Sequence, residues 1–222
     1  MNPGTPFGSS RTHAFSATSS FAGVPAATID DLQGARTVIV GAPFDWGTSY
    51  RPGARFGPKA IRESDYLGYD GYRPHLPTGL DALEGVVDIG DIKLHAGDIE
   101  GDLERISRTV EQIAAAGSNP IVLGGDHTIT YANATGIARV HGFGEFALVH
   151  FDAHADTGRL TETGALYGHG TPMRRLVESG AVPGHRFVQI GLRGYWPGPD
   201  TVHWMKEQGC LLYTSPSPRD ED

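Results

Sequence analysis

Residues 146–156 read Phe146-Ala147-Leu148-Val149-His150-Phe151-Asp152-Ala153-His154-Ala155-Asp156. The first six make a short, nearly continuous apolar run, the pattern of a buried strand. The run stops in Asp152, His154 and Asp156, spaced i, i+2 and i+4. In extended chain these three side chains project from one face. Two are anionic, and such a trio repels itself unless something positive sits between its members. A divalent cation meets that need. Carboxylate and imidazole without thiolate suit Mn, Fe, Zn, Co or Ni, and a carboxylate-rich mix leans towards Mn.

The same arrangement occurs upstream. Ile121-Val122-Leu123 reads as a short buried strand running into Gly124-Gly125-Asp126-His127-Thr128. Adding His127 from that strand end gives four candidate ligands: His127, Asp152, His154 and Asp156. Three further strands are expected: Thr37-Val38-Ile39-Val40, ended by Gly41 and Pro43; Val86-Val87-Asp88-Ile89; and Phe187-Val188-Gln189-Ile190, ended by Gly191. Leu103, Ile106, Val110 and Ile113 fall at helical spacing, with Asn119-Pro120 closing that segment. Asp200 is placed to cap a short helix that stops near Gly209. Strands alternating with helices give an α/β class with a mainly parallel sheet covered on both faces. In such sheets chemistry gathers at the carboxyl ends of the strands, where both polar clusters lie.

Composition narrows the function. Against 18 Lys and Arg stand 26 Asp and Glu, a formal charge of −8, which argues against a duplex nucleic-acid binder. No apolar run approaches the ~20 residues that span a bilayer, so no membrane partner is expected and a cytoplasmic location is. A single cysteine, Cys210, excludes an internal disulfide framework and a Cys-rich zinc site. Residues 1–29 hold no Asp or Glu and read as a flexible arm. Residues 30–209 read as one α/β domain.

These motifs resemble the ureohydrolase family, which includes arginases and agmatinases. Gly124-Gly125-Asp126-His127 is similar to its first signature and Phe151-Asp152-Ala153-His154-Ala155-Asp156 to its second. The loop Pro43–Pro58, with Ile61-Arg62 after it, resembles the agmatinase branch, and Gly168-His169-Gly170-Thr171-Pro172 the loop after the second signature. The resemblance implies a three-layer α/β/α fold, two manganese ions and a homo-oligomer, commonly a trimer or hexamer. It implies that His127 and Asp156 ligate one ion, that Asp152 bridges both and that His154 ligates the other. It places His169 as a proton-shuttling histidine, so His169 and Asp156 carry the catalytic assignment. Asp126 would hold a ligand imidazole through its other nitrogen, a plain helix-capping Asp being the competing reading. Tyr50 and Arg51 are candidates for touching the substrate tail. The implied reaction hydrolyses a guanidino compound to urea and a primary amine. Agmatine, giving putrescine on a route to polyamines, is favoured over guanidinobutyrate or guanidinopropionate.

The chain also departs from that pattern. The family's third signature, Ser-x-Asp-x-Asp-x-x-Asp-Pro, supplies two more aspartates to the metal pair and is missing, as is a later glutamate that grips the guanidinium. Cys210–Asp222 does not look like the family and resembles translated adaptor sequence; its Ser-Pro-Ser-Pro run suits a disordered tail. The expectation is therefore a ureohydrolase domain incomplete at its C-terminus, holding at most one ion well. The alternatives are an inactive fragment, or a member of the deacetylases that share this fold but use one zinc and paired histidines. Urea release against acetate release separates the two enzyme classes.

Overall fold

The computed structural model describes residues 20–64, 83–195 and 197–214. At its centre lies strand β1 (Thr37–Ala42), whose Val38-Ile39-Val40 run is buried throughout. β1 pairs in parallel with β2 (Val86–Asp91) on one side and β3 (Asn119–Gly124) on the other. Alternation sends Val38 and Val40 to one face, against Ile113 of helix α2 (Ile99–Ala115), and Ile39 to the other, against Val24 and Val86. α2 buries the predicted stripe Leu103, Ile106, Val110 and Ile113. Asp98 caps it by accepting from Gly101 N at 3.2 Å. Asn119-Pro120 does not close this helix; α2 stops at Ala115, Gly117 turns the chain at φ +81°, and Asn119-Pro120 opens β3.

One mainly parallel sheet was expected, yet the six strands among the described residues divide into two. β4 (Leu148–Phe151), β5 (Phe187–Leu192) and β6 (Leu211–Thr214) form a second three-stranded parallel sheet, and β3 does not pair with β4. Helix α3 (Ile129–His141) joins the two. Its Ile129 and Ala132 enter the first core, while Ala134 and Ala138 enter the second with Met173 and Leu176 of α4 (Pro172–Glu178) and Met205 of α5 (Pro199–Glu207). In α5 the cap position is Gly198; Asp200 sits in the first turn, where its charge suits the positive end of the helix.

The two ends of the chain differ from expectation. Residues 20–28 do not behave as a loose arm: Val24 is 2 % exposed, and Ala27 N and Pro25 O bond the backbone of Asp88. Ala22 and Val24 of this segment are buried; residues 1–19 lie outside the described residues. At the other end Leu211–Thr214 form β6 rather than irregular chain. Leu-Leu-Tyr-Thr suits a pleated surface, and Cys210 and Leu212 join the second core. Residues 215–222 lie outside the described residues.

Among the described residues the second sheet is covered on one face. The strand steps β4 to β5 to β6 run in one direction, so right-handed crossovers put both of their helices on the same side. On the other side Val149, Val188 and Leu211 stand in register, as do Phe151, Ile190 and Tyr213. Phe151 is 76 % exposed and Val149 50 %. Among the described residues no helix is long and apolar enough to cross a membrane.

Two predictions follow from packing. The bare apolar face should drive self-association; Val149→Lys with Leu211→Lys should shift the chain towards monomer in light scattering, and an unchanged mass distribution would contradict this. The second concerns Arg62 of α1 (Gly57–Glu63), a buried guanidinium that donates to Asp88 Oδ2 at 2.8 Å and Oδ1 at 2.9 Å. Burial opposes ionisation of Asp88, but Arg62 and the N–H groups of Phe21 and Gly90 hold its carboxyl below the usual value. A depressed folded value means a contribution that is full above the unfolded value of 3.8 and is lost as pH falls through the folded one. Asp88→Asn should therefore cost about 2 kcal/mol at neutral pH, Arg62 keeping only Asp91 Oδ1 and Gly90 O as partners, and should flatten the acid limb of a denaturant-melt pH series.

Candidate metal centre

The two polar clusters meet because β3 and β4 end on the same side of α3. After β3 the chain must pass close under the end of β1. A side chain at Gly125 would meet Ala42 O at 2.5 Å and Phe44 O at 2.9 Å, and its φ of +90° also suits glycine. The close approach is fixed by Asp126 N donating to Phe44 O at 2.7 Å, and it presents His127. After β4, Asp152 N donates to Ile190 O at 3.1 Å, which ties the second cluster to β5.

Among the described residues four side chains converge here: His127, His150, Asp152 and Asp156, with ligand atoms all within 4.8 Å of one another. His127 Nδ1 contacts Asp156 Oδ2 and lies 3.8 Å from Asp152 Oδ2. Asp156 takes a left-handed φ of +48°, a conformation Asp adopts more readily than most residues. Burial works against ionisation of Asp152, but the His154 N–H and the imidazoles of His150 and His127 outweigh it and hold the carboxyl low.

The predicted set and the convergent set are not identical. His127, Asp152 and Asp156 come together. His154 stands aside, 60 % exposed in its side chain, with Nδ1 3.8 Å from the other oxygen of Asp152, Oδ1. His150, which sequence reasoning passed over as part of an apolar strand, takes a place in the group. Its spacing two residues before Asp152 was the available signal. Burial first, then the charge of His127, lowers its imidazole pKa against the pull of Asp152 and Asp156. Two carboxylates and the His127 imidazole, partly shielded from water, are donors that fit a divalent transition metal, with the His150 ring beside them.

Asp126 does not hold a ligand imidazole. Oδ1 accepts from Thr128 N at 2.7 Å at the start of α3, and Oδ2 accepts from Gly47 N at 2.8 Å. The bond to Thr128 N closes the turn that leads into α3, whose cap position is Thr128, and the bond to Gly47 N tethers that turn to the Asp45–Pro58 loop. That loop is closed by Asp45, which takes Gly53 N at 2.7 Å and pairs with Arg55. Arg55 in turn lies 4.0 Å over Trp46, and Trp46 Nε1 donates to Asp102 at 3.1 Å. Tyr50 is exposed with Arg51 over its ring. His169 sits outside the convergent four. Its N–H donates to Gly47 O at 3.0 Å, and its Nε2 shares a 2.9 Å hydrogen bond with Ser49 Oγ.

A second acidic group, His95, Asp98 and Asp102, already has its cation: Arg105 Nη1 lies 2.7 Å from both aspartates.

With this geometry in view, comparison with known proteins is decisive. A profile of the arginase family matches residues 35–220. The chain belongs to the arginase family. It is 40% identical over 176 residues to the mitochondrial agmatinase of Gallus gallus, covering 78% of this chain and 50% of the relative. It is 41% identical over 180 residues to the mitochondrial guanidino acid hydrolase of Homo sapiens, covering 80% and 49%. The structure of proclavaminate amidinohydrolase from Streptomyces clavuligerus superposes with a TM-score of 0.78 at 35% identity, covering 91% of this chain and 65% of that one. This arginase-family chain thus spans about half the length of the curated relatives it matches.

The tether at Asp126 can be tested alone. Asp126→Ala removes the acceptor for two backbone N–H groups and should cost about 1–2 kcal/mol. It should also speed amide exchange at Gly47, read by hydrogen-exchange mass spectrometry; unchanged exchange there would show that the tether is dispensable.

Proposed function

We propose that this fold hydrolyses a guanidino compound to urea and a primary amine, with manganese as its metal. The observation that carries the reading is the convergence of His127, Asp152 and Asp156 at two strand ends. Asp152 supports a bridging role, because Oδ2 faces His127 while Oδ1 faces His154. His127, Asp152 and Asp156 would hold one ion, and His154 with Asp152 the other. When bound, a pair of such ions lowers the pKa of water towards 7 and so supplies a nucleophile at neutral pH. The guanidinium carbon needs that help, since resonance spreads its positive charge. The leaving amine needs a proton, and His169, anchored at Nε2 by Ser49, is the group we assign to deliver it. The loop from Asp45 to Pro58 orients that histidine through Gly47 and Ser49.

Agmatine is the substrate favoured by the resemblance of the Pro43–Pro58 loop. A second reading is a guanidino acid. It is favoured by Arg51, whose guanidinium lies over Tyr50 with no carboxylate paired to it among the described residues, and which would suit an anionic substrate tail. Urea release from agmatine, guanidinobutyrate and guanidinopropionate with Mn2+ separates the two. If Arg51 reads the tail, Arg51→Ala raises KM for the acids and leaves agmatine unaffected.

Metal stoichiometry tests the site itself. Titration of the chain with Mn2+ should give one firmly bound ion, the second position having only His154 and the shared Asp152. Asp152→Asn should weaken uptake by at least about tenfold. Two firmly bound ions, or uptake indifferent to Asp152→Asn, would contradict the assignment.

A further inference from the structure

We infer that His150 is a positioning residue for the candidate metal centre, its Nε2–H holding Asp152 Oδ2 and thereby fixing the aim of the carboxylate. The inference rests on the metal reading above and adds a residue to it.

His150 is 6 % exposed, and its ring stacks between two others: His127 at 4.9 Å and Phe187 at 6.1 Å between centroids. These two rings line its slot. Within it the ring makes one hydrogen bond, from Nε2 to Asp152 Oδ2 at 3.3 Å; Nδ1 is buried and has no hydrogen-bond partner among the described residues. A ring lone pair directed at a carboxylate would be repelled, so the proton belongs on Nε2 and the lone pair on Nδ1.

The backbone enforces the contact. His150 and Asp152 are two apart at the end of β4 and share a face. His150 is in register with Gln189 on β5, and Asp152 N is tied to Ile190 O. Oδ1 of Asp152 accepts from His154 N at 2.9 Å. Each carboxylate oxygen therefore takes one donor and keeps a second lone pair for an ion. Remove the His150 donor and Oδ2 loses its fixed neighbour, leaving the carboxylate pinned by the His154 N–H alone.

Direct ligation by His150 fits less well. Imidazole lone pairs lie in the ring plane. Two rings stacked with planes 23° apart direct them side by side rather than to one point.

The test uses the full chain and Mn2+ as probe. His150→Phe keeps the stacked volume and removes the donor; Mn2+ affinity should fall about 10–100-fold, as for other partners that orient a ligand. His150→Gln can place an amide N–H where Nε2 stands and should recover most of the loss. His150→Asn, whose amide reaches only the Nδ1 position, should not. Near-UV circular dichroism of each variant shows that the core is retained. At saturating Mn2+ the number of nitrogens coupled to the ion, read by pulsed electron paramagnetic resonance, should be the same in the wild type and His150→Phe. In the unaltered metal-free chain, 15N chemical shifts should report the Nε2–H tautomer.

Wild-type-like affinity in His150→Phe overturns the inference, as does loss of one coupled nitrogen or a proton found on Nδ1. If the wild-type chain takes up no Mn2+, the metal reading fails; the tautomer measurement then still decides whether His150 holds Asp152.

Discussion

Two carboxylates brought within a few ångströms of each other set the terms for this molecule. At an effective dielectric of 20, like charges 4 Å apart repel by about 4 kcal/mol. Asp152 and Asp156 nevertheless converge, on His127 and His150. The surrounding chain is organised to hold that arrangement: a glycine pair passing under β1, a carboxylate at Asp126 fastening the turn, and a strand end stitched to β5. These contacts hold the two carboxylates together against a repulsion that a cation at the centre would offset.

Two of the apolar clusters behind the site share one helix. α3 contributes to both, so the polar turn preceding it and the strand following it are held relative to each other by apolar contact. The distance between His127 and the 152–156 cluster is therefore set by packing of Ile129, Ala132, Ala134 and Ala138, together with the direct contact of His127 Nδ1 with Asp156 Oδ2. Small side chains dominate that list, which lets α3 lie close to both layers.

Much of this was legible beforehand, and for identifiable reasons. The β-branched run at 37–40 and the 103–113 stripe are periodic and buried, so pattern and structure coincide. Motif order along the chain placed the family. What escaped was whatever depends on neighbours distant in sequence. His150 looked like one member of an apolar strand, because only the fold reveals that its ring is aimed at Asp152. Asp126 carries a turn-closing bond to Thr128 and a tether to Gly47, 79 residues away, and no local pattern announces the second. The division into two sheets was equally invisible, since strand propensity does not say which edges meet. Leu211–Thr214 became a strand because an unsatisfied edge of β5 was there to receive it.

The hydrogen bond between Ser49 and His169 joins positions 120 apart. Closing so long a loop has an entropic cost that one exposed contact does not offset by itself. It becomes favourable only once helices and sheets already hold both partners nearby. The histidine assigned to the proton thus owes its place to the packing of the rest of the chain, with its backbone N–H on Gly47 O as a second tie between the same two segments.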